Sequence, residues 1–219
     1  MARMARVVVP GFPHHVTQRG NRRQRTFFSE DDYATYIQLL SKAAAKACVE
    51  IWAYCLMPNH VHFVAVPRHA DSLSALFSDA HRRYTRHVNF REGWRGHLWQ
   101  ERFHSVVMDD NHLIATVRYT ELNPVRARLC AAADEWRWSS VHAHLARRDD
   151  ELVTVAPMSD RFDDWRSYLA TENPPATLTR IREHSRTGRP IGNDDFLDKL
   201  QQLSGTDWRK RKPGPPGRS

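Results

Sequence analysis

The sequence predicts an α+β fold built on one four-stranded antiparallel sheet. Four short segments alternate apolar and polar residues as strands do, two longer segments between them repeat apolar residues at helical spacing, and two of the strands are joined by a very short turn. A chain of 219 residues with 41% hydrophobic residues is long enough for one good core and a modest extension.

Seven elements make up the predicted main domain. In chain order they are a strand at 14–19, a helix capped by Ser29 that runs to about Ala47, a strand at 49–56, a strand that opens at His60, a helix from Asp71-Ser72 to near Gly93, a strand at 103–108, and a helix from Asp109-Asp110 to Asn123-Pro124. The order β-α-β-β-α-β with an added helix is the ferredoxin-like split arrangement. In that arrangement we expect the helices to cover one face of the sheet.

The weaker signals beyond residue 150 predict a small extension. We assign residues 1–150 to the main domain and residues 151–219 to a helical and basic C-terminal extension. Short helices are predicted around Trp165 and over 194–200, separated by a linker at 171–175 and by the basic stretch REHSRTGRP, and the chain ends in WRKRK and a proline-rich tail.

Charge and motif content limit the function classes. The formal net charge is +8, and the excess is rich in arginine, which binds phosphate through two parallel hydrogen bonds. No apolar run approaches the length of a membrane span, and no secretory signal opens the chain, so we expect a cytoplasmic protein. The three cysteines lack CxxC spacing, which argues against a zinc finger, and a Walker-type phosphate loop is missing from the sequence.

Two histidines open the strand that begins at residue 60. Because successive side chains of a strand point to opposite faces, His60 and His62 share a face and lie close together. Val64 and Val66 fall on the same face, so the imidazoles sit at the rim of a core. The pair is compatible with two satisfied core histidines or with two ligands of one metal ion.

A tyrosine and an asparagine on the last predicted helix are the second candidate pair. Tyr119 and Asn123 are four residues apart, which places them on one helix face. A phenol can act as a nucleophile, and an amide oxygen can bind a hard metal ion. Alternatively, Tyr119 is a packing residue and Asn123 caps a next helix that begins with Pro124.

Taken together, these motifs resemble the HUH single-tyrosine transposases, and within them the REP-associated branch. The stretches that carry the resemblance are PGFPHHVTQRGNRRQRTFF, YCLMPNHVHFVAVP, LWQERFHSVVMDD, RYTELNPVRARL, EWRWSSVHAHL and GRPIGNDDFLDKL. They cover about residues 6–145 and part of the C-terminal extension, so the resemblance extends over most of the chain.

The resemblance implies a metal-dependent endonuclease and transposase that acts on single-stranded DNA. It implies that His60, His62 and Asn123 hold Mg²⁺ or Mn²⁺ and that Tyr119 attacks the scissile phosphate, giving a 5′-phosphotyrosine link and a free 3′-OH. The other tyrosines are expected to be packing residues, and they are Tyr33, Tyr36, Tyr54, Tyr84 and Tyr168.

The implied substrate is single-stranded DNA beside imperfect palindromic hairpins. Our phosphate-binding candidates are Arg19, Arg22, Arg23 and Arg25 after the first strand, and Arg82, Arg83 and Arg86 on the second helix. Trp94 and Trp99 are candidates either for stacking on bases or for core packing. The residues leave the choice between a monomer and a homodimer open.

Two other functions fit the same sequence. In the first, the chain is a hairpin-DNA-binding regulator that needs neither metal nor cleavage. In the second, it is a metal-dependent nuclease that uses water in place of Tyr119 and forms no covalent adduct. Fold does not separate these functions, because ferredoxin-like sheets support many activities.

Overall fold

The computed structural model describes residues 7–209. The strands are β1 (His14–Arg19), β2 (Val49–Met57), β3 (His60–Pro67) and β4 (His104–Val107). The α-helices of this range are α1 (Glu30–Ala47), α2 (Ser72–Glu92), α3 (Asp110–Glu121), α4 (Asn123–Arg126), α5 (Val141–Ala146), α6 (Ala156–Ser159), α7 (Trp165–Ala170), α8 (Pro175–Thr187) and α9 (Asp194–Ser204). Most of the basic tail predicted from the sequence lies outside the described residues.

The four strands form one antiparallel sheet in the order β2-β3-β1-β4. This order confirms the ferredoxin-like core that the sequence predicts. The chain leaves β1 through Gly20, where a Cβ atom would lie 2.3 Å from the backbone oxygen of Gln24. Glycine is therefore required there by the close approach of two backbone segments.

Helices α1 and α2 pack on one face of the sheet. Helix α1 begins with a capping box, in which the Ser29 hydroxyl accepts from the backbone N–H of Asp32 and the Asp32 carboxylate accepts from the backbone N–H of Ser29. The apolar stripes of both helices bury against strand residues that include Val61 and Phe63. These strand residues alternate with the two histidines of β3, so α1 and α2 lie on the face away from His62.

The opposite face of the sheet is also covered, which corrects the expectation that helices lie on one face. Helix α3 buries Leu113 and Val117 against Val64 and Val106 of the sheet, and α8 adds Ile181 to the same cluster. The face that carries the histidines becomes apolar at Val64, and that apolar surface needs a cover.

The third helix is shorter than predicted. Its N-cap is Asp109, whose side chain accepts from the backbone N–H of His112, but the helix ends at Glu121. Leu122 joins it to the short helix α4, of which Asn123 is the first residue. Pro124 explains the break, because it has no N–H to donate to the preceding turn.

The chain after residue 150 packs into the same structure as the residues before it. Trp165 and Tyr168 of α7 are buried in the cluster that contains Val64, and Ile191 pairs with Met108 next to β4. The stretch REHSRT, predicted only as a basic segment between two short helices, is the C-terminal half of α8. None of the helices within residues 7–209 is long and apolar enough to cross a membrane.

Candidate active site

His60 and His62 lie on one face of β3, as the alternation of the strand predicts. Their ring centres are 5.1 Å apart. In the sheet, His62 is paired with Thr17 and His60 with Arg19, so β1 presents side chains to the same face. The site is thus built from two neighbouring central strands, which fix the relative positions of these side chains.

A third histidine, His15 of β1, joins the pair. His15 Nε2 lies 3.0 Å from His62 Nδ1, and the two ring planes are inclined by only 15° with their centres 5.3 Å apart. On its other side, His15 Nδ1 lies 3.0 Å from the hydroxyl of Ser185 on α8. The sequence analysis missed His15, although its position two residues before Thr17 gives it the same strand face.

These imidazoles are neutral at physiological pH. Burial lowers the pKa of His15 and of His60 to about 4, with smaller contributions from Arg126 and Arg19 respectively. Burial, together with the nearby His60, His15 and Arg126 side chains, holds the pKa of His62 well below its usual range. Neutral imidazole is the form that binds a metal ion.

Tyr119 of α3 faces this group of histidines. Its ring meets those of His62 and His15 nearly edge-on, with ring centres 5.8 Å and 6.0 Å away. All six tyrosines of the chain lie in the described residues, and Tyr119 is the one that is not buried. The expectation that the other five are packing residues is confirmed.

Arg126 of α4 lies against Tyr119. Its guanidinium carbon is 4.0 Å from the centre of the Tyr119 ring, and its Nη2 donates to the backbone oxygen of Tyr119. Burial lowers the pKa of Arg126, while the neighbouring Tyr119 acts in the opposite direction. Arg126 is part of the tyrosine motif in the sequence, but no role was predicted for it.

Asn123 is buried in the junction between α3 and α4. Within residues 7–209, its side-chain nitrogen Nδ2 is buried without a hydrogen-bond partner. Asn123 is not among the residues that line the cavity described below. The structure therefore brings His60, His62 and Tyr119 together, but it does not bring Asn123 to the cavity that they line.

The donors present fit a divalent ion. The described residues contain no group of three histidine, cysteine or acidic side chains arranged to hold a metal. They do contain two adjacent neutral imidazoles, which offer two nitrogen donors to a divalent ion. An open site of this kind leaves positions for substrate oxygens and water.

A cavity of about 420 Å³ opens in front of these residues. His15, His60, His62 and Tyr119 line it, together with four arginines, which are Arg19, Arg23, Arg182 and Arg186. Arg19 and Arg23 were predicted to bind phosphate. Arg182 and Arg186 belong to α8 and were missed, because the stretch that contains them was interpreted as a basic segment between two helices and not as a helix.

The region of the chain that forms this site matches a known family. Residues 9–123 match the family model described as IS200-like transposase. The chain belongs to the IS200-like transposase family. The enzymes of this family are tyrosine transposases, so the predicted family and enzyme class are confirmed.

Two known proteins are similar to this IS200-like transposase. A REP-associated tyrosine transposase of Escherichia coli (strain K12) is 21% identical over 127 residues, which are 58% of this chain and 74% of that protein. A solved structure of a REP-associated tyrosine transposase bound to a REP hairpin is 22% identical, with a TM-score of 0.58, and the match covers 67% of this chain and 87% of that one. The structural match supports the fold.

Three of the remaining arginine candidates lie away from the cavity of the transposase. Arg82 and Arg83 form ion pairs with Asp79 on α2, at 2.7 Å and 2.9 Å, and Arg86 lies farther along the same helix. Helix α2 covers the face opposite His62, so the structure does not bring these three residues to Tyr119.

The other two candidates lie closer to the histidines. Arg22 is exposed in the turn after β1, and Arg25 lines a neighbouring cavity together with Arg23 and His60. Both therefore sit at the end of the sheet where His60 lies. Their role in phosphate binding stays a prediction.

The two tryptophan candidates differ in burial. Trp99 is 7% exposed and stacks on His81 with ring centres 4.6 Å apart, which confirms core packing for this residue. It borders a second cavity of about 480 Å³ between α2 and the segment before β4, which contains none of the predicted catalytic residues. Trp94 is 45% exposed, so stacking on a base stays a prediction for it.

Proposed function

We propose that this transposase cleaves and rejoins single-stranded DNA beside palindromic hairpins through a 5′-phosphotyrosine intermediate at Tyr119. The observation that carries the proposal is the position of Tyr119. It is the one unburied tyrosine among the six, it lines a cavity rich in arginine, and its ring lies edge-on to His62 and His15. A nucleophile beside neutral nitrogen donors and cationic side chains suits attack on a phosphodiester.

In the cleavage step, the phenolic oxygen of Tyr119 forms a bond to phosphorus and loses its proton to solvent. The bond from phosphorus to the 3′ oxygen breaks, and that oxygen takes up a proton to become a free 3′-OH. The positive charge of Arg126, whose guanidinium carbon is 4.0 Å from the ring centre, lies next to the attacking tyrosine. Because the covalent link conserves the energy of the phosphodiester, rejoining requires no nucleotide cofactor.

His60, His62 and Asn123 would hold a divalent ion, Mg²⁺ or Mn²⁺. When bound, such an ion withdraws charge from a non-bridging oxygen of the scissile phosphate and makes the phosphorus a better electrophile. The support is the neutral state of the two adjacent imidazoles, whereas Asn123 is included because the family resemblance implies it.

Single-stranded DNA with a hairpin is the proposed partner. Arg19, Arg23, Arg182 and Arg186 supply positive charge to the cavity wall, which suits phosphates on both sides of the cleaved bond. The similar protein of known structure is bound to a REP hairpin. We place this activity in the cytoplasm, where such DNA is available.

A covalent trapping experiment tests the proposal. The protein is incubated with labelled single-stranded hairpin DNA from the repeats of its own genome and with Mn²⁺ or Mg²⁺, and a denaturing gel is inspected for a DNA-linked protein band. Tyr119→Phe and His62→Ala are run beside the wild type. Tyr33→Phe is the matched control, because it removes a hydroxyl from a buried tyrosine that has no place in the cavity.

The outcomes separate the three functions. A metal-dependent adduct that is lost in Tyr119→Phe and His62→Ala and kept in Tyr33→Phe supports the proposal. Cleavage that survives in Tyr119→Phe assigns the attack to water. Hairpin binding without cleavage under either metal ion indicates a regulator and refutes the transposase mechanism for this chain.

A further inference from the structure

Helix α8 contacts the histidine site from outside the part of the chain that matches the family. The matched region ends at residue 123, whereas Ser185 lies in α8 and its hydroxyl is 3.0 Å from His15 Nδ1. His15 in turn contacts His62, so one hydrogen-bonded chain connects the C-terminal part of the molecule to a proposed metal ligand.

The direction of each hydrogen bond in this chain is fixed by the partner at its end. The Ser185 hydroxyl donates its only proton to the backbone oxygen of Ile181, 2.7 Å away. Its oxygen must therefore accept from His15 Nδ1–H. A neutral His15 then has a lone pair on Nε2, which accepts from His62 Nδ1–H. The proton of His62 is thus on Nδ1, and the lone pair is on Nε2.

The proton of His60 is fixed in the same way by a different group. The Asn59 amide nitrogen donates to the backbone oxygen of Arg23 at 3.0 Å, so the amide oxygen must face His60 Nδ1, which lies 2.7 Å away. His60 Nδ1 therefore donates, and its Nε2 also has a lone pair. Two independent sets of contacts produce the same tautomer in both histidines.

We propose that His15 and Ser185 are positioning residues that hold His62 with the Nε2 lone pair available to the metal ion. The proposal rests on the metal site of the proposed function. A hydrogen bond to the far nitrogen of a ligating histidine fixes both its tautomer and the orientation of its ring. In this protein the group at the end of that chain, Ser185, belongs to α8, so α8 contributes to the geometry of the site without touching the metal.

The first test reads the tautomers directly, with neither DNA nor metal present. Two-bond ¹H–¹⁵N correlation spectra of the histidine rings distinguish Nδ1–H from Nε2–H, and His62→Ala assigns the His62 signals by their loss. We expect Nδ1–H at His62 in the wild type and a mixture of tautomers in Ser185→Ala. Ser185→Thr keeps a hydroxyl and is expected to restore the wild-type pattern. Thr179→Ala, a hydroxyl loss at an exposed position of the same helix, is the control.

The second test is a titration of the free protein with Mn²⁺, followed by calorimetry or by the spin resonance of the free ion. Loss of a positioning partner weakens metal binding by about 10- to 100-fold, so we expect weaker binding of this order in His15→Ala and at the lower end of it in Ser185→Ala. Ser185→Thr and Thr179→Ala are expected to bind Mn²⁺ as the wild type does.

The outcomes distinguish this proposal from the proposed function. Nε2–H at His62 in the wild type overturns the positioning role, and so does wild-type Mn²⁺ affinity in both His15→Ala and Ser185→Ala. Either result leaves the Tyr119 adduct experiment unaffected. A wild-type protein that has the Nδ1–H tautomer but binds no Mn²⁺ overturns the metal site and the positioning role with it.

Discussion

A buried carboxylate two residues after Tyr119 allows a stability prediction to be worked out from its contacts. Glu121 is fully buried at the end of α3. One of its oxygens accepts from the Ser140 hydroxyl at 2.6 Å and from His144 Nδ1 at 2.7 Å, and the other accepts from the indole N–H of Trp165 at 2.8 Å. These three donors come from α5, α7 and the residue before α5, so Glu121 links the tyrosine helix to the C-terminal part.

Glu121→Gln should destabilise the protein by about 2 to 4 kcal/mol. The amide has one acceptor oxygen and one NH₂ group, so it must direct an N–H either at the Trp165 indole N–H or at Ser140 and His144. In the first orientation the amide N–H faces the Trp165 indole N–H, so two donors meet with no acceptor between them. The second requires His144 to move its proton to Nε2, which is buried without a partner. Either way a buried donor is left unsatisfied, at about 1–3 kcal/mol, and a charge-assisted bond is weakened.

The measurement is urea unfolding followed by far-ultraviolet circular dichroism, with Glu172→Gln as the exposed control. In a thermal unfolding experiment, the same loss would appear as a decrease in Tm of about 5 to 15 °C for a chain of this size. A change in the free energy of unfolding below about 0.5 kcal/mol, the range typical of surface positions, would show that the three donors do not depend on the carboxylate and would refute the argument.

Three further predictions follow from the site and its surroundings. Arg126→Gln should slow adduct formation by Tyr119 by about tenfold or more, and Arg126→Lys by less, in single-turnover assays at saturating DNA; equal rates in all three proteins would remove Arg126 from the mechanism. Burial lowers the pKa of His14 to about 4, so as the pH falls from 6.5 to 4 the unfolded chain binds a proton that the folded chain does not. The free energy of unfolding should therefore decrease by about 1.4 kcal/mol for each pH unit of this fall. In His14→Gln the slope of stability against pH should be smaller by that amount, and an unchanged slope would contradict the assignment. Arg23→Gln should weaken hairpin binding and reduce the slope of log affinity against log salt concentration by about one. Arg83 is paired with Asp79 on the other side of the sheet, so Arg83→Gln should change neither quantity. Fluorescence anisotropy at several salt concentrations measures both.

Much of the sheet could be predicted from the sequence because its signals are local. The alternation at 14–19, the Ser29 cap of α1 and the end of α2 near Gly93 each depend on a few neighbouring residues, and the structure has all three. The pairing of His60 with His62 follows from strand geometry alone. The family motifs then connected these residues with Tyr119.

The missing parts of the site depend on contacts between residues far apart in sequence. His15 and Ser185 are 170 residues apart, and no local pattern indicates that they meet. The stretch around Arg182 and Arg186 has few apolar residues, so the apolar repeat that predicts a helix is weak there. In the structure, Ile181 packs this helix against the sheet. The helices on the second face of the sheet were not predicted. The apolar residue Val64 was placed on the histidine face, but the need for a helix to cover that face was not inferred from it.

The electrostatics of the cavity argue for catalysis with a cation over simple hairpin binding. A surface that only binds DNA gains from positive charge, yet His60 and His62 are neutral and, by the hydrogen bonds of their Nδ1 atoms, have a lone pair on each Nε2. A lone pair repels phosphate oxygens and attracts a cation. The arginines of the wall can bind phosphate directly, whereas the histidine face can do so only through a bound ion. For a binder, His62→Ala would therefore leave hairpin affinity unchanged or improve it with or without metal, whereas a transposase would lose its metal-dependent adduct.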